Sequence, residues 1–121
     1  MSNLKTDGTT CKPGYTKIAK QCFIYRGVHK LSLSESICEK HDDKLPSRED
    51  VKNVLSQFIE SLLKKGYKPV IIPVNEREKY MQDIYTRVTY FAESKFWMSS
   101  DGATPASVIC EQKSTIVSGS F

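Results

Sequence analysis

The chain has 121 residues, of which 39% are hydrophobic and 26% are charged, and it carries a formal net charge of +4. This length is typical of one domain, and the balance of apolar and charged residues excludes an intrinsically disordered chain. No apolar run reaches the ~18 residues of a membrane-spanning helix, so direct insertion into a membrane is not expected. The basic residues are spread along the chain rather than interleaved with aromatic ones, which argues against a nucleic-acid partner.

The N-terminal part of the sequence predicts a lead-in followed by a hairpin. Residues 1–10 are polar and are expected to be flexible. The stretch from Cys11 to Cys22 contains Lys-Pro-Gly at positions 12–14, a turn signal, and then alternating apolar and polar residues. This pattern predicts two short strands, the second of which continues through the apolar residues 23–25.

A short helix is predicted after the hairpin. Ser32 and Glu35 have the spacing of a capping box, in which each side chain bonds the backbone N–H of the other residue. We therefore expect a helix over about residues 33–41, with Ile37 and Cys38 facing the interior.

The strongest periodic pattern in the chain predicts a second, longer helix. Ser47 and Asp50 form another possible cap, and Gly66 is a suitable C-terminal stop. Between them, apolar residues recur at intervals of three and four: Val51, Val54, Leu55, Phe58, Ile59, Leu62 and Leu63. This stripe indicates a helix that packs on a sheet.

The last part of the chain predicts strands at residues 70–74, 88–92, 95–98 and 107–111. Pro73 cannot donate a ladder hydrogen bond, so the first of these strands is expected at a sheet edge. Asp101 and Gly102 predict a turn. The polar segment 75–87 is consistent with either a loop or a short helix.

Four cysteines, at positions 11, 22, 38 and 110, carry information about the compartment. An even number in a short chain favours two disulfides and an oxidising environment. The competing interpretation is a metal site, but the sequence has no Cys-x-x-Cys pair, and His29 and His41 lack ligand spacing to the cysteines. Three disulfide connectivities remain open from the residues alone.

Several short motifs follow one another in a characteristic order. They are Cys11-x-Pro-Gly-Tyr15, Cys22-Phe23, Ser34-x-x-x-Cys38, Leu45-Pro46-Ser47-x-Glu49-Asp50 and Val108-Ile109-Cys110-Glu111. In order and spacing they resemble the C-type lectin-like domain, in its long form with an additional N-terminal hairpin. The resemblance covers residues 11–111.

The resemblance implies an α+β fold in which two helices flank small antiparallel sheets. It also implies that Cys11 pairs with Cys22 and that Cys38 pairs with Cys110. We expect the lectin-like domain to occupy residues 11–112 and a C-terminal tail to occupy residues 113–121.

Differences from the family pattern concern calcium. Family members that bind sugars through calcium carry Trp-Asn-Asp, and Trp97 lies at the matching distance from Cys110, but Met98 and Ser99 follow it. The second calcium motif would fall at positions 78–80, where the sequence is Glu-Lys-Tyr. Calcium requires six to eight oxygen ligands, several of them charged. We therefore expect no metal and no other cofactor.

The resemblance also indicates a reduced domain. Val88 and Gly102 occupy the positions of the family's inner disulfide. The segment 75–87 lies where sugar-binding members have a much longer loop that carries the calcium ligands. We therefore expect both the inner disulfide and most of the long loop to be lost.

These features favour a binding protein over an enzyme. Ser99, Ser100, Asp101 and the acidic residues of 76–83 have no histidine near them in sequence, so no catalytic group is predicted. We expect a calcium-independent extracellular recognition or adhesion module that binds a protein, either secreted or as a receptor ectodomain. The alternative is a lectin that binds glycans without calcium.

The segment 75–87 is the predicted binding site. It carries Arg77, Tyr80, Tyr85 and Arg87, and tyrosine and arginine are common interface anchors. The alternative is that this segment packs inward and closes the core where the long loop is missing. Trp97 likewise has two interpretations, as a binding anchor or as a core residue.

Overall fold

The computed structural model describes residues 10–67, 70–77 and 86–113. The predicted lead-in over residues 1–10 and the predicted tail over residues 113–121 fall almost entirely outside these ranges. Their boundaries therefore stay predictions.

Within the described residues the chain forms strands and helices in the following order. They are β1 (Thr16–Ile18), β2 (Gln21–Lys30), a 3-10 helix (Leu31–Leu33), α1 (Ser34–Glu39), β3 (Asp43–Lys44), α2 (Arg48–Asn53), α3 (Ser56–Lys64), β4 (Ile71–Arg77), β5 (Thr86–Phe91), β6 (Phe96–Asp101) and β7 (Pro105–Gln112).

The strands form two antiparallel sheets. The first has the order β1-β2-β7-β3 and the second the order β4-β5-β6. Tyr25 pairs with Ile109 in the first sheet, and Tyr90 pairs with Trp97 in the second. The expected α+β class is confirmed, and so is the position of Pro73, since β4 is an edge strand of its sheet.

Both implied disulfides are present. Cys11 is bonded to Cys22, and Cys38 is bonded to Cys110, with sequence separations of 11 and 72 residues. The first closes the N-terminal hairpin onto β2. The second joins α1 to β7, so it fixes the first helix to the centre of the larger sheet.

The predicted capping box at Ser32 and Glu35 is wrong. Residues 31–33 form a 3-10 turn, and α1 begins at Ser34, whose hydroxyl donates to the carbonyl of Leu31. The Ser32 N–H donates to the carbonyl of Gly102, and the Glu35 carboxylate binds Arg87. The two groups that would form the box therefore have tertiary partners instead.

The second predicted helix is present with its two ends as expected, but it is divided. Ser47 and Asp50 form the capping box at the start of α2. Gly66, with φ +82°, ends α3 in a Schellman motif, in which its own N–H bonds Leu63 and the Tyr67 N–H bonds Leu62. Between α2 and α3, Leu55 leaves helical geometry and is fully buried. The apolar spacing is the same on both sides of this break, so periodicity did not reveal it.

The main core lies between the α2–α3 pair and the strands of both sheets. Its buried members include Phe23, Val51, Leu55, Ile59, Leu62, Val70, Ile72, Val74, Val88 and Ile109. A smaller cluster surrounds the Cys38–Cys110 disulfide and contains Leu45 and Val108. The main core contains residues of both sheets, so it packs the second sheet, and with it β6, against the larger sheet.

Candidate functional site

The strand β6 presents a concentration of large side chains at the edge of the second sheet. It pairs with β5 along its whole length, from Phe96 opposite Phe91 to Asp101 opposite Thr86. Because side chains alternate along a strand, Phe96 and Met98 share one face and Trp97 lies on the other. Phe96 is 45% exposed and Met98 is 43% exposed.

Local hydrogen bonds fix both ends of this strand. Before it, Lys95 adopts a left-handed backbone with φ 60°, and its N–H donates to the carbonyl of Phe91 over 2.7 Å. After it, the Asp101 carboxylate accepts from the Ala103 N–H over 2.9 Å, which confirms the predicted turn. The side chains on β6 are therefore presented by a constrained hairpin.

Trp97 combines the two roles that the sequence left open. Its ring lies 4.9 Å from that of Tyr90 and packs against the main core. On its other side the Arg48 guanidinium lies 5.1 Å from the ring centroid, in cation–π geometry. Arg48 also donates to the Glu76 carboxylate over 2.6 Å and 3.3 Å. Trp97 is thus half-buried, with its outer face covered by a polar surface group.

A groove runs along this side of β6, between the strand and the α2–α3 pair. Its volume is about 380 Å³, within the range of small-molecule and peptide pockets. The groove combines buried aliphatic, partly buried aromatic and charged side chains; the lining residues are Val51, Lys52, Ser56, Ile59, Glu60, Leu63, Tyr90, Ala92, Lys95 and Trp97.

On the other face of β6, exposed apolar side chains lie next to a pair of buried hydroxyl groups. The rings of Phe96 and Phe91 stack at 5.4 Å with an interplanar angle of 11°. Next to them, the buried Thr89 hydroxyl donates to the Met98 carbonyl over 2.9 Å and lies 2.8 Å from the Ser100 hydroxyl. The Met98 side chain is therefore exposed, while its backbone carbonyl is held by the buried Thr89 hydroxyl.

We call the side chains on the two faces of this edge strand the β6 surface: Phe96 and Met98 on one face, and Trp97 with Tyr90 and Arg48 on the other. Aromatic residues, methionine and arginine are the types enriched at protein interfaces, and exposed apolar side chains gain free energy when a partner covers them. The β6 surface is therefore suited to binding a macromolecule by burial of apolar area.

The structure corrects the expectation for Arg87. Its side chain is 0% exposed, and it donates to the Val74 carbonyl over 2.9 Å and to the Glu35 carboxylate over 2.7 Å. A buried guanidinium with these partners joins β5 to β4 and α1. Arg87 is therefore a structural residue and does not lie on an exposed binding surface.

The other predicted site residues are only partly placed. Arg77 is the last residue of β4, and its backbone pairs with that of Arg87. Tyr80 and Tyr85 lie outside the described residues, as do Glu78 and Lys79 of the second calcium-motif position. Their part in binding stays a prediction.

Sequence reasoning missed Phe96 and Met98 as surface residues. The available signal was the run Phe96-Trp97-Met98, which has large apolar groups on both faces of one short strand. Because a single core covers one face of such a strand more fully, the large side chains on the other face stay partly exposed. The contribution of Arg48 had no local signal, because it reaches Trp97 from a helix 49 positions earlier in the sequence.

Two observations concern metals and membranes. Within residues 10–67, 70–77 and 86–113, no group of three or more His, Cys, Asp or Glu side chains is placed to hold a metal ion. In the same part of the chain, no helix has the length and hydrophobicity required to cross a bilayer.

Comparison with solved structures decides the fold. Two snake venom C-type lectin-like proteins superpose on most of the chain. One is EMS16, with 15% identity, a TM-score of 0.59, and coverage of 84% of this chain and 98% of that one. The other is botrocetin, in a complex with a von Willebrand factor A1 domain, with 13% identity, a TM-score of 0.60, and coverage of 86% and 99%.

The chain has a C-type lectin-like fold. No protein-family model and no curated protein sequence matches it. Met98 and Ser99, which the sequence resemblance matches to the family's calcium-binding Asn and Asp, are both exposed on β6.

Proposed function

We propose that this lectin-like domain is a calcium-independent extracellular module that recognises a protein partner through the β6 surface. The observation that carries the proposal is the exposure of Phe96 and Met98 on one face of a constrained edge strand, whose other face presents Trp97 with its Arg48 cover. Exposed apolar side chains grouped in this way, with an arginine beside them, have the composition of an interface hot spot.

The structural neighbours support a protein as the class of partner. EMS16 is an antagonist of the collagen receptor integrin alpha2beta1, and botrocetin is in complex with an A1 domain of von Willebrand factor. Both relationships are with proteins. At 15% and 13% identity they support the class of partner and not its identity.

Two further features support the extracellular and calcium-independent parts of the proposal. The disulfides Cys11–Cys22 and Cys38–Cys110 persist in oxidising compartments and are rare in the cytosol. The exposed Met98 offers a thioether, which is a poor ligand for calcium, where the resemblance implies an amide oxygen. The sequence-based proposal that Arg77, Tyr80 and Tyr85 extend the binding surface is retained.

The test is a binding screen on two kinds of array. The purified domain is applied to a panel of extracellular protein domains, including integrin alpha2beta1 and the A1 domain, and to a glycan array, with calcium and with EDTA. We expect binding to at least one protein, of equal strength in both buffers. Binding to glycans alone would favour the lectin alternative, and binding that EDTA abolishes would refute calcium independence.

Matched substitutions then locate the binding surface. Met98→Asp places a charge on the β6 surface, and Val28→Asp places the same charge on β2, at a valine that is 46% exposed. We expect Met98→Asp to weaken protein binding at least tenfold and Val28→Asp to leave it within about twofold, because a charge at an interface core must be desolvated.

A further inference from the structure

Two carboxyl groups meet at the N-terminus of α2. Glu111 of β7 is 7% exposed and lies close to Asp50 of α2, since one amide group bonds both carboxyl groups. The Gln21 amide of β2 lies between them and donates to Asp50 over 3.1 Å and to Glu111 over 2.7 Å. The Gln21 amide therefore bridges the two carboxyl groups and connects α2 to the larger sheet.

The surroundings favour the protonated form of Glu111. The pKa of Glu111 is raised to about 7, mainly by burial and also by the neighbouring Asp50, while Gln21 and Lys44 act in the opposite direction. Burial also disfavours the charged form of Asp50, but hydrogen bonds from Glu111, Gln21 and Ser47 hold its pKa below the ordinary value. Below neutrality Glu111 therefore donates a hydrogen bond to the Asp50 carboxylate.

The groups that face Glu111 come from three elements. Asp50 of α2 carries the like charge, and Gln21 of β2 is neutral. Lys44 of β3, which pairs with Glu111 in the sheet register, carries an opposite charge that acts on it. When Glu111 releases its proton to solvent, Gln21 and Lys44 have to compensate for two adjacent carboxylates.

The same turn of helix supports the β6 surface. Asp50 completes the capping box with Ser47, and Arg48 lies between those two residues in sequence. From there the Arg48 guanidinium reaches the ring of Trp97. The anchor of α2 and the cover of Trp97 therefore lie on the same turn of helix.

We infer that protonation of Glu111 acts as a switch. The protonated carboxyl group anchors the start of α2 and, through Arg48 on the same turn, controls how closely the Arg48 guanidinium covers Trp97 in the β6 surface. The covered state prevails at mildly acidic pH, and the cover loosens as pH rises past neutrality. The inference rests on the proposed function for its biological meaning, since it regulates the same surface. Its test requires no partner.

Tryptophan fluorescence provides the test, because Trp97 is the only tryptophan in the chain. Emission of the native protein and its quenching by acrylamide are measured from pH 5 to pH 9. We expect a red shift and a rise in the quenching constant as pH rises, with a midpoint near 7, the pKa of Glu111.

Three variants assign the transition. In Glu111→Gln the amide donates to Asp50 at every pH, so the transition should disappear. In Asp50→Asn the like charge is removed, so the midpoint should move to lower pH. Glu39→Gln, at an exposed glutamate on α1, should leave the midpoint unchanged.

Two results would overturn the inference. One is a flat profile in the unmodified protein, and the other is a transition that persists unchanged in Glu111→Gln or in Asp50→Asn. A persistent transition would belong to titratable groups other than the Glu111–Asp50 pair. Failure of the array screen alone would refute the proposed function and leave this result standing.

Discussion

The Arg48 guanidinium lies 5.1 Å from the centroid of the Trp97 ring, across the gap between α2 and β6. Glu76 holds the same guanidinium from β4. One side chain thus connects the start of a helix to two strands of the second sheet. Because the contact covers the only tryptophan in the chain, its effects can be measured directly.

Removing this cover should change the environment of Trp97 more than the stability of the domain. Arg48→Ala should raise acrylamide quenching of Trp97 and lower the free energy of unfolding by only about 1 kcal/mol, since exposed cation–π contacts and ion pairs each contribute about 0.5–1 kcal/mol. Arg48→Met, which retains an apolar stem, should raise quenching less. Unchanged quenching in Arg48→Ala would show that Arg48 does not cover Trp97 in solution.

Arg87 should be a stability residue. Arg87→Ala removes the guanidinium that donates to the Glu35 carboxylate and the Val74 carbonyl. Because the Glu35 side chain is 29% exposed, we expect a loss of about 2–3 kcal/mol, the cost of removing one partner of a partly buried, charged hydrogen bond. Urea unfolding should show this loss, with Arg48→Ala as the matched arginine control. A loss below about 1 kcal/mol would place Arg87 on the surface after all.

The two disulfides should contribute unequally. Their sequence separations are 72 and 11 residues, and the loop-closure model gives the longer one about 1.5 kcal/mol more stabilisation. We therefore expect the double variant Cys38→Ala, Cys110→Ala to lose more stability than Cys11→Ala, Cys22→Ala. Each pair is removed together so that no free thiol remains. Equal losses in urea unfolding would contradict the expectation.

Stability should fall as pH rises through neutrality. The pKa of Glu111 is raised from 4.5 to about 7 on folding, so the folded state binds more protons than the unfolded state between these values. Its stabilising contribution is therefore complete below about pH 4.5 and is lost by the time pH passes 7, an effect on the order of 1–3 kcal/mol. Urea unfolding at pH 5 and pH 8 measures the difference. Glu111→Gln should reduce it, and a difference of equal size in that variant would assign it to other groups.

The sequence predicted those parts of the fold that depend on neighbouring residues. Ser47 and Asp50 are three positions apart, and Gly66 directly follows α3, so the caps could be identified from local spacing. The disulfide pairing came from the resemblance, because spacing alone left three connectivities open.

What the sequence did not reveal depends on partners that are distant along the chain. Glu35 bonds Arg87, 52 positions away, instead of capping its own helix, and this one contact overturned two predictions. Nothing near Arg87 in the sequence indicates that a carboxylate from α1 will neutralise it in the interior. The β6 surface was missed for the same reason, since the side chain that covers Trp97 comes from α2.

The most direct test of the central claim compares binding of the unmodified domain, Met98→Asp and Val28→Asp to its strongest protein hit on the array, in EDTA. We predict full binding by the unmodified domain without calcium, at least a tenfold loss in Met98→Asp, and a change within about twofold in Val28→Asp. Equal binding by all three proteins would show that the β6 surface is not the binding site.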